Sequence, residues 1–157
     1  MLDSTGEERP GVRTPRCPAQ TPNGVVRMAT SDRSPLSVLI VEDMADIADS
    51  LAVFLRQNGD DVRVVGTGQD ALAACGEARP DVVLLDIGLP GLTGWDVAEH
   101  LRRMRLDPAP FLVAVTGYGT PADEQTSAGA GIDLHLVKPV DPIYLLTVLD
   151  RRRKVGR

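Results

Sequence analysis

Five short apolar runs recur along the chain, separated by stretches of helical spacing. They are Val38-Leu39-Ile40-Val41, the group Val62, Val64 and Val65, then Val82-Val83-Leu84-Leu85, Phe111-Leu112-Val113-Ala114-Val115, and Leu134-His135-Leu136-Val137. Runs of this length, rich in β-branched residues and without strict alternation, predict strands covered on both faces. The first helical stretch, after Asp43, sets Ile47, Leu51, Phe54 and Leu55 on one stripe and stops at Asn58-Gly59. A second, over about 69–79, carries only Leu72 and Cys75 and ends at Pro80. A third shows Val97, Leu101 and Met104 on one face and ends near Asp107-Pro108. Thr120-Pro121-Ala122-Asp123 gives a fourth helix its start: a hydroxyl cap, a proline at the first helical position and an acid behind it. The stretch 125–131 is short, polar and glycine-rich, so it is the element expected to move. Asp141-Pro142 repeats the start, and Leu145, Leu146 and Leu149 provide the last buried stripe.

Strands alternating with helices predict βα units, hence an α/β, doubly wound, five-stranded parallel sheet with helices on both faces. The flavodoxin-like strand order 2-1-3-4-5 is the common solution. In that order the carboxyl ends of the first and third strands flank the point where the chain reverses direction across the sheet. Ligands bind there. Glu42-Asp43 and Asp86 follow those two strands, Thr116 follows the fourth, and Lys138-Pro139 follows the fifth. Three carboxylates in one crevice repel one another, and a divalent cation relieves them. An oxygen-only site suits Mg²⁺, with the Gly88 backbone carbonyl and water completing the shell. Lys138 and Thr116 then supply the cation and hydroxyl that a tetrahedral anion held at Asp86 requires.

The chain has 157 residues, 43% of them hydrophobic, enough for one domain with a proper core. A net charge of -5 argues against general attraction to nucleic acid or anionic lipid. Cys17 and Cys75 form no metal spacing and read as reduced thiols. Residues 1–35 are rich in Pro, Thr, Ser, Arg and Gly and are expected to be a disordered tail, with Met28 an alternative start. No apolar leader and no run long enough to span a bilayer is visible, which makes the cytoplasm the expected location. The remaining divisions are a domain over 36–153 and a basic end at 154–157.

Together the acidic pair Glu42-Asp43, Asp86 in Asp-Ile-Gly-Leu-Pro-Gly-Leu-Thr-Gly, Thr116 before Gly117, and Lys138-Pro139 carry a resemblance. From about Leu36 to Arg153 the chain resembles the receiver domain of bacterial two-component response regulators. The resemblance implies that Asp86 is the phosphoacceptor and that Asp43, Asp86 and the Gly88 carbonyl bind Mg²⁺ with help from Glu42. It implies that Thr116 and Lys138 contact the phosphoryl oxygens, and that the Lys138–Pro139 bond is cis. The donor would be a histidine kinase or histidine phosphotransfer protein. Thr116 and His135 would be the switch residues, read by a downstream protein on the face of the fourth helix, fifth strand and fifth helix. Receivers usually carry Tyr or Phe where this chain has His135, and those attached to hybrid sensor kinases often have histidine there. A receiver module of a hybrid kinase, or a phosphorelay shuttle, is therefore the alternative to a single-domain regulator. Too few residues follow the last helix for a DNA-binding domain.

Other readings are weaker. A haloacid-dehalogenase-type phosphatase also uses an aspartyl phosphate and Mg²⁺, but its family carries Asp-x-Asp after the first strand. Here Gly88 stands two past Asp86, without the general acid, and the candidate nucleophile follows the third strand. A nucleotide or flavin module needs a glycine-rich phosphate loop, which is missing. His100 is given no role, and Tyr118 is either a lid or an exposed loop aromatic. The basic run Arg151 to Lys154, with Arg157, reads as charge complementing the negative end of the last helix, not as a nucleic-acid contact.

Overall fold

The computed structural model describes residues 33–117 and 119–155, so Cys17, Met28, Tyr118 and Arg157 lie outside the described residues. In chain order the elements are β1 (Ser37–Val41), α1 (Ala45–Gln57), β2 (Asp61–Val65), α2 (Gly68–Ala78), β3 (Val82–Leu85), α3 (Gly94–Arg103), β4 (Phe111–Thr116), α4 (Pro121–Gly129), β5 (Leu134–Val137) and α5 (Pro142–Val155). All four strand pairings are parallel. The strand order is β2-β1-β3-β4-β5, as the pattern of βα units predicts.

Successive side chains of a strand point to opposite faces, and here each face finds its own core. Leu39, Val41, Val83, Leu85, Leu112 and Ala114 pack with Ala71, Ala74, Val97, Ala98 and Leu101 of α2 and α3. Val38, Ile40, Val82, Leu84 and Val113 pack with Ala48, Ala52 and Leu55 of α1 and Leu145, Leu146 and Leu149 of α5. Because both faces are covered, the central strands lack polar alternation, and this is why they were legible as continuous apolar runs.

The helix faces differ from the expected stripes. In α1 the buried residues are Ala48, Ala52 and Leu55, while Ile47 is 38% exposed. In α2 they are Gly68, Ala71, Ala74 and Cys75, with Leu72 only partly buried. Small side chains let these helices lie close to the sheet, so the contact line runs along alanines and turns the larger residues to its margin. Helix α3 ends at Arg103, short of Asp107-Pro108, because Arg105 has a left-handed φ of 48°, and Met104 is 41% exposed.

Thr67, Thr93 and Thr120 cap α2, α3 and α4, the last two in reciprocal capping boxes with Asp96 and Asp123. The basic end of α5 is also more than a complement to the helix dipole. Arg153 pairs with Asp60 and Asp150, and its Nε donates to the Ser34 carbonyl at 3.2 Å. Asp150 also pairs with Arg33. Burial works to raise the Asp150 carboxyl, but these guanidinium groups outweigh it and hold it below its ordinary value. Residues 33–36 are thereby tied to the body of the fold, and Leu36 is buried.

Candidate functional site

The sheet itself assembles the site. Past β1, the Glu42 amide bonds to the Val65 carbonyl, and past β3 the Asp86 amide bonds to the Val41 carbonyl. These bonds fix the ends of the first and third strands side by side, where the strand order reverses. Carboxylate oxygens from Glu42, Asp43 and Asp86 all lie within 4.8 Å of one another. Glu42 is buried, Asp86 partly buried and Asp43 exposed. The Gly88 amide donates to Asp86 Oδ1 at 3.1 Å, which fixes one oxygen and leaves the other toward Lys138.

Lys138 arrives from β5, whose end is tied to β4 because its amide bonds to the Thr116 carbonyl at 2.8 Å. Its Nζ donates to Glu42 Oε2 at 2.7 Å and stands 3.6 Å from Asp86 Oδ2. The Lys138–Pro139 bond is cis, as the resemblance implies. Burial raises the Glu42 carboxyl above its ordinary value; the Lys138 bond and the Met44 amide act against this, and the Asp86 charge adds to it. Burial works to lower Lys138, but the bond to Glu42 and the charges of Asp86 and Glu42 outweigh it and hold the amine above its ordinary value. The donor set fits a hard divalent cation: three oxygen ligands, mutual repulsion, and one lysine, one charge against three. Any such ion would be held by Glu42, Asp43 and Asp86.

Thr116 is fully buried at the end of β4. His135 lies on β5, opposite Ala114 of β4, with its Nδ1 2.8 Å from the Ser127 hydroxyl of α4. Two neighbours were not anticipated from the sequence. Gly94 opens α3 directly against the Asp86–Ile87 backbone: a Cβ there would come 2.5 Å from the Asp86 carbonyl oxygen. The signal was present in the Thr-Gly that closes the loop motif. Ser127, buried on an otherwise polar helix, also accepts from Trp95 Nε1 at 3.0 Å. Nothing in the local pattern marks it.

Beside Lys138 an apolar groove of about 790 Å³ runs between α1 and the start of α5, lined by Ile47, Leu51, Phe54, Val140 and Leu145. No helix among the described residues is long and apolar enough to cross a membrane.

A strand-end carboxylate cluster with a lysine across it, on this sheet order, defines a receiver-type α/β domain. Residues 38–150 match the family of the response regulator receiver domain, and the chain belongs to that family. It is 39% identical over 109 residues to the DNA-binding response regulator MtrA of Mycobacterium tuberculosis, covering 69% of this chain and 46% of that protein. It is 41% identical over 103 residues to the sensory transduction protein RegX3 of Mycolicibacterium smegmatis, covering 66% and 44%. The chain thus spans less than half the length of these curated relatives. Among solved structures, a CheY-like receiver domain protein from Methanospirillum hungatei superposes with a TM-score of 0.71 at 30% identity, covering 77% of this chain and 95% of that one.

Proposed function

We propose that this chain is a phosphorylatable switch in which Asp86 accepts a phosphoryl group from a histidine kinase or histidine phosphotransfer protein. One observation carries the reading: the Lys138 amine lies within 4 Å of both Glu42 and Asp86, over three converging carboxylates. Asp86 Oδ2 attacks phosphorus, a P–O bond forms, and the P–N bond to the donor imidazole breaks with its electron pair left on nitrogen. Lys138 neutralises charge on the phosphoryl oxygens, and the Thr116 hydroxyl is their further contact. Mg²⁺, held by Glu42, Asp43, Asp86 and the Gly88 carbonyl, would supply the remaining charge neutralisation. Hydrolysis of the acyl phosphate returns Asp86 and inorganic phosphate, so the chain acts as a switch and not as an enzyme with a separate substrate.

The groove beside Lys138 is the surface assigned to the phosphodonor, since a protein seated there reaches Asp86 from the open end of the sheet. The output surface is the face of α4, β5 and α5. Support comes from Val137 and Tyr144, large apolar side chains 42% and 47% exposed on β5 and α5. Thr116 and His135 are the switch residues that connect it to Asp86. We place its action in the cytoplasm, as a receiver spanning 36–153 that signals by binding a protein. A DNA contact by the α5 basic end is not favoured, because Arg153 is turned inward to Asp60.

A receiver module of a hybrid kinase, or a phosphorelay shuttle, would perform the same chemistry with a different donor. Magnesium titration tests the shared site: Asp43→Ala is expected to weaken Mg²⁺ binding more than any other single acid change, and equal affinity would overturn the ligand set. Phosphotransfer profiling against purified kinases and phosphotransfer proteins then separates the donors.

A further inference from the structure

Helix α4 is held differently from the other four helices. Those bury several alanine, leucine or valine side chains each, whereas Ser127 is the one buried residue among the nine of α4. A helix with so little apolar contact needs another restraint to keep one position. The Ser127 hydroxyl provides it by joining two other elements. It accepts from Trp95 Nε1 on the first turn of α3 at 3.0 Å, and it lies 2.8 Å from His135 Nδ1 on β5, to which it donates when that nitrogen carries no proton. Ser127 is 1% exposed, so water does not replace either partner without movement of the helix.

We propose that Ser127 is the positioning residue of the output face: the Trp95–Ser127–His135 chain latches α4 to α3 and β5, and opening it is the threshold step of the switch. The latch itself is a property of the resting fold. Its opening on phosphorylation rests on the receiver reading above. A latch made of two directional bonds differs from a slide across apolar surface. It has a made state and a broken state, which suits a two-position helix. His135 contributes a ring nitrogen where family members usually carry Tyr or Phe, and that nitrogen is what reaches Ser127.

Trp95 is the single tryptophan of the chain, so its emission reads the latch directly. Hydrogen exchange of the α4 amides is measured on the full chain without phosphoryl mimic for the wild type, Ser127→Ala, Trp95→Phe and the double variant. Each lost bond is expected to speed α4 exchange roughly 3- to 10-fold. Trp95→Phe should have this effect when Ser127 is present and almost none when it is alanine. Unchanged α4 exchange in a folded Ser127→Ala protein, or full additivity of the two substitutions, overturns the latch.

The second arm adds beryllium fluoride with Mg²⁺. The wild type should show a change in Trp95 emission, and Ser127→Ala should show little change while responding at roughly 3- to 10-fold lower concentration, because the competent state is already more populated. Amide shifts at residues 86–88 report whether the mimic has bound. Absence of those shifts would overturn the receiver reading, whereas shifts with an identical Trp95 response in both proteins would overturn the latch.

Discussion

Lys138 Nζ is held 0.9 Å nearer to Glu42 Oε2 than to Asp86 Oδ2, at 2.7 Å against 3.6 Å. In the resting arrangement the amine therefore neutralises the buried Glu42 first and leaves Asp86 less encumbered. The same cation stands beside the oxygens that would bind Mg²⁺, and like charges oppose one another across a few ångströms. Lys138→Ala is expected to bind Mg²⁺ more tightly than the wild type while taking up phosphoryl from acetyl phosphate about 100-fold more slowly. Fluorescence titration reads the first and intact-mass kinetics the second. Weaker Mg²⁺ binding, or undiminished uptake, would show that the amine plays neither part.

Gly94 sets how closely α3 approaches the strand end that carries Asp86. A Cβ would meet the Asp86 carbonyl oxygen at 2.5 Å and Ile87 Cα at 2.7 Å, both backbone atoms that cannot swing aside. Gly94→Ala should cost about 1–3 kcal/mol of stability, measured by urea unfolding, and should slow Asp86 labelling as well. A variant as stable as the wild type and labelled at the same rate contradicts this packing.

The three arginines at the end of α5 are not equivalent. Arg153 pairs with Asp60, whose side chain is fully buried, while Arg151 is exposed. Arg152 stands with its guanidinium 5.8 Å from the Phe111 ring centroid. Removing Arg153 leaves a buried carboxylate without its countercharge. Arg153→Ala should lose about 3 kcal/mol in urea unfolding, and Arg151→Ala should lose under about 0.5 kcal/mol. Equal effects would dismiss the Asp60 pairing as a stabilising element.

Much of the fold was legible because β1, β3 and β4 are buried on both faces and leave unbroken apolar runs. The helix faces were less so. Periodicity was read from large residues such as Ile47, Leu72 and Met104, whereas Ala48, Ala52, Ala71, Ala74 and Ala98 make the close contacts. At the site, acids and lysine at strand ends could be placed from strand order alone. The Lys138–Glu42 bond could not, because it joins residues 96 apart whose relative geometry only the folded sheet determines. Ser127 and Asp60 went unmarked for a related reason: a serine on a polar helix and an aspartate after Asn58-Gly59 carry no local sign of burial.

Cys75, fully buried on the inner face of α2, has its thiol pushed up from 9.0 to about 11 by burial, with the Arg63 charge acting the other way. The folded state thus binds its proton more tightly than the unfolded state, so stability falls as pH rises from about 9 toward 11. Cys75→Ala should flatten that alkaline loss in urea unfolding curves. In the native wild type, peptide mapping should find Cys75 unalkylated by iodoacetamide at pH 8 and modified once urea is added. Rapid native alkylation at Cys75 would contradict the buried, protonated thiol.

The central claim is that Asp86 accepts the phosphoryl group with help from a divalent ion held by its neighbours. Intact-mass and peptide-mapping mass spectrometry after incubation with acetyl phosphate, with and without Mg²⁺, tests it most directly on the wild type and Asp86→Asn. The predicted result is a single hydroxylamine-sensitive phosphoryl adduct on the peptide containing Asp86, lost when Mg²⁺ is removed and absent from the variant. Undiminished labelling of Asp86→Asn, or labelling indifferent to Mg²⁺, would contradict it.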